Sequence, residues 1–118
     1  MHDPIMQLRD KTELDEVLRS PSAVLYKHSP RCGICTAALL EVRHFADTHP
    51  EIPVYQVDVL AQRTLSNAIA DRLAIRHKSP QAIVLREGAV AWHGAHFRVS
   101  AQALEKATLQ RDTDPSTV

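Results

Sequence analysis

Between two turn signals, Pro21-Ser22 and Ser29-Pro30, lies a short apolar run from Ala23 to Lys27. It shows no polar and apolar alternation, so as a strand it has no wet face and must be covered on both sides. A sheet built around such a strand needs helices above and below it. The neighbouring segments supply them. Ile5 to Leu8 reads as a short strand. Thr12 then caps a helix over Glu13 to Arg19, with Asp15 three residues on and Leu14, Val17 and Leu18 on its apolar face. A long helix follows from about Cys32 to Thr48, with Cys35, Ala38, Leu39, Val42, Phe45 and Ala46 as its buried stripe.

Beyond the Pro50 and Pro53 loop, Tyr55, Val57 and Val59 share one face of a strand over Val54 to Val59. Leu65, Ile69 and Leu73, supported by Ala68, mark the next helix. Two strands, Ala82 to Leu85 and Ala89 to His93, are joined by Arg86-Glu87-Gly88, where the glycine can take a positive φ. A last helix starts near Ser100 and buries Leu104 and Ala107. The expected order is βαβαβαββα, an α/β fold with a small mixed sheet. Strands linked through helices are expected to run parallel, and the final hairpin antiparallel.

With 118 residues the chain has the size of one domain. The expected domain is 1–110, followed by a flexible polar tail over 111–118 that carries Pro115. Fourteen basic and fourteen acidic residues balance, which argues against nucleic-acid or membrane-surface partners. The N-terminal residues show no basic segment leading into an apolar one, so a cytoplasmic location is expected. In a reducing compartment two cysteines three apart point to redox or metal chemistry rather than a permanent staple.

Cys32 and Cys35 fall where the central strand has ended and the long helix begins. A helix N-terminus presents unpaired N–H groups and a positive dipole end, both of which favour a thiolate. Arg31 adds a cation beside it. Cys32 is therefore expected to be the exposed nucleophile, and Cys35, nearly one turn further in, the less exposed partner that attacks a mixed disulfide on Cys32. Gly33 leaves room for a partner backbone to approach. Other readings of the same residues remain open. The cysteines could be core thiols of a non-catalytic interaction domain, or Cys32, Cys35, His93 and His96 could form a four-ligand zinc set.

Pro80, after Ser79 and before a buried strand, can form a cis peptide bond whose loop offers backbone groups to an incoming thiol compound. Lys27, Arg31, Arg76 and Lys78 are read as loop cations flanking these elements and suited to an anionic substrate. His28 and His77 lie in the same segments and could assist proton transfer.

Five segments together resemble the YtxJ-type monothiol bacilliredoxins, within the thioredoxin-like superfamily. They are Tyr26-Lys27-His28-Ser29-Pro30-Arg31-Cys32, Val57-Asp58-Val59, Ser66-Asn67-Ala68-Ile69-Ala70, Arg76-His77-Lys78-Ser79-Pro80-Gln81 and Ala91-Trp92-His93-Gly94-Ala95-His96, in family order across about residues 4 to 110. The resemblance implies a thioredoxin-like fold and removal of bacillithiol from protein mixed disulfides by thiol–disulfide exchange. It implies Cys32 as nucleophile and Pro80 as the cis-proline. Partners would be proteins carrying such disulfides, low-molecular-weight thiols and a thiol reductant. No metal or organic cofactor would be needed, because the electrons pass through sulfur alone. Bacillithiol carries a malate group, which gives the basic residues a purpose. Where the family commonly reads Cys-Pro-Ile-Ser, this chain reads Cys32-Gly33-Ile34-Cys35, which restores a resolving thiol. Compared with thioredoxin, Arg31 replaces a tryptophan, Ile34 a proline, and Tyr26 the buried aspartate six residues before the first cysteine. A general protein-disulfide reductase is the alternative activity.

Overall fold

A computed structural model of the chain describes residues 3–109. In chain order the elements are β1 (Ile5–Gln7), α1 (Lys11–Leu18), β2 (Ser22–His28), α2 (Gly33–Thr48), β3 (Val54–Asp58), α3 (Arg63–Leu73), β4 (Gln81–Arg86), β5 (Ala89–Ala95) and α4 (Ala101–Leu109), with a 3-10 turn at His96–Arg98 before α4. The five strands lie in the order β1-β3-β2-β4-β5. The expected tail over 111–118 lies outside the described residues.

β2 is central, and its side chains divide between two cores. Val24 and Tyr26 pack with Ala38, Val42 and Phe45 of α2 and Leu104 of α4. Ala23 and Leu25 pack with Leu14 and Val17 of α1 and Leu65 and Ile69 of α3. This two-sided burial is why the segment shows no polar alternation. Of the expected α2 stripe, Leu39 is half-buried and the other five residues are buried.

Two local expectations are corrected. The first helix is capped by Asp10, not Thr12, since Asp10 Oδ1 accepts from the Glu13 N–H at 2.9 Å. Glu13 Oε1 in turn accepts at 2.7 Å from the N–H of Arg9, one residue before the cap, so the capping residues Asp10 and Glu13 sit two positions earlier than Thr12 and Asp15. The second correction concerns strand direction. β1, β3 and β2 are parallel, but β4 runs antiparallel to β2 although α3 separates it from β3. α3 ends at Ala74, in a left-handed conformation, and residues 74–80 then carry the chain back. Seven residues can span roughly 23 Å when extended. The chain thus enters β4 with Gln81 opposite Lys27, at the end where β2 leaves the sheet.

The β4–β5 turn uses two residues of positive φ, Glu87 at 51° and Gly88 at 82°. Only a glycine fits the second, because a Cβ there would meet the Leu18 carbonyl oxygen at 2.6 Å. β5 extends to Ala95, two residues past the expected end, so His93 lies within the sheet.

Candidate active site

The carboxyl ends of β2 and β3 and the start of β4 meet at one end of the sheet, where α2 leaves toward one face and α3 toward the other. After His28 the chain makes a tight turn, with the Cys32 N–H donating to the Ser29 carbonyl at 3.3 Å. Cys32 is extended, at φ −110° and ψ 121°, and forms the N-cap of α2. It keeps a partly exposed free thiol. The backbone N–H of Cys35, then the Cys35 side chain, then the N–H of Ile34 hold the Cys32 thiol below the ordinary range. The unpaired donors of a helix start thus act on the sulfur itself.

Cys35 is 0% exposed. The Ser29 N–H donates to its Sγ at 3.4 Å. Burial, reinforced by the neighbouring Cys32, pushes its thiol above the ordinary range. The pair is therefore divided into an accessible thiol poised to ionise and a buried one that keeps its proton. Tyr26, fully buried beneath α2, donates its hydroxyl to the Cys35 carbonyl at 3.1 Å and lies 3.0 Å from His28 Nδ1.

The Ser79–Pro80 peptide is cis. The register that sets Gln81 opposite Lys27 brings Pro80 alongside the end of β2, where the turn to Cys32 begins. The Pro80 carbonyl accepts from the His96 N–H at 2.9 Å, joining this loop to the chain after β5. Ser79 is half-buried and Arg31 exposed. Gly33 is also exposed, and a Cβ there would meet nothing within 4 Å, so the protein's own packing does not require a glycine.

The basic residues separate. Lys27 is not a loop cation but lies inside β2, where strand alternation turns it toward α3, and it is 1% exposed. Its ammonium donates to the Ser66 carbonyl at 2.9 Å and lies 3.2 Å from His77 Nδ1. Burial pushes it down to about 8. His77, whose Nδ1 is also 3.3 Å from Ser66 Oγ, thereby ties the proline loop to β2 and α3. Burial, Lys27 and Arg63 hold its imidazole below the ordinary range. Arg76 and Lys78 stay exposed and line a cleft of about 240 Å³ with His93 and Arg98. Arg98 carries no motif that singles it out in the sequence. The Tyr26 hydroxyl is the other unforeseen feature, although its position six residues before Cys32 was the available signal.

The zinc set does not assemble. Register pairs His93 with Ile83, whose side chain packs in the α1 and α3 core, whereas Cys35 lies on the opposite face, in α2 over Tyr26. Among the described residues no three His, Cys, Asp or Glu side chains come together to hold a metal ion.

The family model described as "Monothiol bacilliredoxin BrxC" matches residues 6–104. Among solved structures, a protein described as having a thioredoxin fold superposes with a TM-score of 0.81 at 24% identity, covering 88% of this chain and 93% of that one. Thioredoxin from Trypanosoma brucei brucei matches with a TM-score of 0.73 at 15% identity, over 91% and 90% of the two chains. Oxidised thioredoxin O2 from Arabidopsis thaliana matches with a TM-score of 0.71 at 20% identity, over 94% and 98%. At these identities the structural matches establish the thioredoxin fold alone.

Proposed function

Because the chain belongs to the monothiol bacilliredoxin family, and is with it a thiol–disulfide oxidoreductase, we propose that it removes bacillithiol from protein mixed disulfides in the cytoplasm. The observation that carries this reading is a partly exposed thiol at the N-cap of α2, acidified by the helix's own N–H groups. The Cys32 thiolate attacks the bacillithiol sulfur of the mixed disulfide. The substrate protein leaves as its thiol, and bacillithiol is held on Cys32. Cys35 then attacks Cys32 Sγ, forming the Cys32–Cys35 disulfide and releasing bacillithiol as a thiolate that takes up a proton. A thiol reductant returns the two electrons. Arg31, Gly33, Ser79 and Pro80 serve the approach of substrate. Arg76 and Lys78 are the exposed cations available to the malate carboxylates, while Lys27 and His77 act by holding the proline loop. Across the described residues no helix is long and apolar enough to cross a membrane.

The test is a Cys35→Ser variant mixed with a bacillithiol-modified protein and analysed by intact mass. Bacillithiol accumulating on Cys32 supports the reading. A variant that captures only whole proteins points instead to a general disulfide reductase. Release of bacillithiol by a Cys32→Ser variant at the parent rate refutes the assignment of the nucleophile.

A further inference from the structure

The loop before β4, the start of β4, the end of β5 and the 3-10 turn border one cleft of about 240 Å³. Its polar lining is Arg76, Lys78, Gln81, His93 and Arg98, with no carboxylate. Arg76, Lys78 and Arg98 have no ion pair with an acidic side chain among the described residues. Three unneutralised cations around one small volume repel one another, and an anion between them offsets that repulsion. The cleft between α1 and α3 differs, since Asp71 stands there with Lys11 and Arg72, and Arg72 is paired with Asp15.

Two backbone features fix the cationic walls. His96 holds φ 58°, a conformation that side chains rarely adopt, and its N–H donates to the Pro80 carbonyl at 2.9 Å. The turn that carries Arg98 is thereby tied to the proline loop. Gly94 is buried, and a Cβ there would meet the Trp92 ring at 2.7 Å and Arg98 Cβ at 3.3 Å, so its bare backbone lets Arg98 lie close to the sheet. Gln81, 2% exposed, donates its Nε2 to the Arg76 carbonyl at 3.0 Å, which fixes the direction of its amide. Its Oε1 has no partner, and among the described residues no other buried side-chain nitrogen or oxygen is left so. An unpaired acceptor bordering a cationic cleft calls for a hydroxyl or N–H donor beside the anion.

Register places this cleft relative to the reactive thiol. Ala95 of β5 lies opposite Gln81 of β4, and Gln81 lies opposite Lys27 of β2. The cleft and the turn to Cys32 therefore share one end of the sheet. Two strand spacings, roughly 10 Å, divide β2 from β5. A ligand that reaches both Cys32 and the cleft must span about this distance.

We propose that the cleft seats the carboxylates of the small thiol and that Arg98 selects thiols whose carboxylates lie far from the sulfur. The inference rests on the reading that Cys32 takes up the small thiol, and deepens it. Arg98 and Arg76 supply planar guanidinium forks that match carboxylates, and Lys78 supplies a third charge. Gln81 Oε1 accepts from a neighbouring hydroxyl or amide N–H. Bacillithiol, with its sulfur and its malate at opposite ends of the molecule, has this shape. Thiomalate, with both carboxylates close to the sulfur, has the charge without the reach.

The experiment uses the Cys35→Ser protein, in which transfer stops at Cys32, and one carrier protein modified with either bacillithiol or thiomalate. Cys32 attacks the sulfur of the small thiol, the carrier leaves as its thiol, and intact mass follows the adduct over time. Bacillithiol is expected to transfer about tenfold faster than thiomalate. Adding Arg98→Gln slows bacillithiol about tenfold, the loss of one charge-assisted contact, and thiomalate by less than about twofold, which also shows that the variant is folded. Equal slowing of both thiols means that Arg98 acts through a general field or on the carrier, and overturns the cleft. Unchanged rates for both, or equal parent rates for the two thiols, overturn it as well. In each of those cases bacillithiol on Cys32 leaves the underlying reading intact. A parent that takes up no bacillithiol on Cys32 overturns that reading, and the role of the cleft with it.

Discussion

Replacing Lys27 with methionine is expected to stabilise the protein near neutral pH and to lose that advantage in alkali. The parent side chain is 1% exposed. It has a carbonyl and an imidazole as partners, and no ion pair to a carboxylate among the described residues. Burial alone lowers its pKa from 10.5 to about 8. Below pH 8 folded and unfolded chains both carry the charge, and the folded state bears the whole desolvation penalty. Above 10.5 neither carries it. Between the two, the unfolded chain keeps a proton that the folded chain has released, so stability rises with pH. At about 1.4 kcal/mol per pH unit, the rise across this window is about 3 kcal/mol. Methionine keeps the length of the apolar stem and abolishes the penalty, but it loses two hydrogen bonds worth about 1 kcal/mol each. The variant should therefore be more stable than the parent by about 1 kcal/mol at pH 7 and less stable by about 2 kcal/mol near the top of the window. Urea unfolding under reducing conditions, followed by Trp92 fluorescence across the window, measures both curves. Taking their difference cancels the titrations of Cys32, Cys35 and Tyr26, which the two proteins share. A flat difference would show that the ammonium is not desolvated, and the reasoning from burial would fail.

Two further outcomes test the site and the turn. The rate of Cys32 alkylation by iodoacetamide should rise with pH at a midpoint below that of a free thiol, while Cys35 stays unmodified in the folded protein; a midpoint at or above the free-thiol value would mean the helix donors do not reach the sulfur. Gly88→Ala should destabilise by about 1–3 kcal/mol through its positive φ and the Leu18 carbonyl, whereas Gly33→Ala should leave the melting temperature unchanged or slightly raised and affect only turnover of bulky protein disulfides. Equal losses of stability at the two glycines would contradict this contrast.

Much of the molecule can be read from local pattern. The uninterrupted apolar run at Ala23 to Lys27 required cover on two faces, and the helical stripes at Cys35 to Ala46 and Leu65 to Ile69 supplied it. Gly88 marked the hairpin, and the paired cysteines marked the strand-to-helix turn where a thiolate is favoured. These features depend on side-chain periodicity, backbone φ and spacing along the chain, which are properties of neighbouring residues. Thr12 and Asp10 show the resolution limit of such reading, because both belong to the residue types that cap helices and only the geometry of the first turn chooses between them.

What stayed hidden arises from contacts between residues far apart in the chain. The direction of β4 depends on how far residues 74–80 carry the chain before it rejoins the sheet, and no local pattern encodes that return. Lys27 looked like a cation for solvent and substrate, yet the α3 carbonyl of Ser66, thirty-nine residues away, turns it into an interior tie. His93 and His96 have the spacing of a ligand pair, and sheet register then sends His93 to the face away from Cys35. The Tyr26 hydroxyl finds its acceptor because α2 folds back over β2 and sets the Cys35 carbonyl against it. Periodicity settles which residues are buried, whereas the partner each buried polar atom finds is settled only when the strands and helices dock.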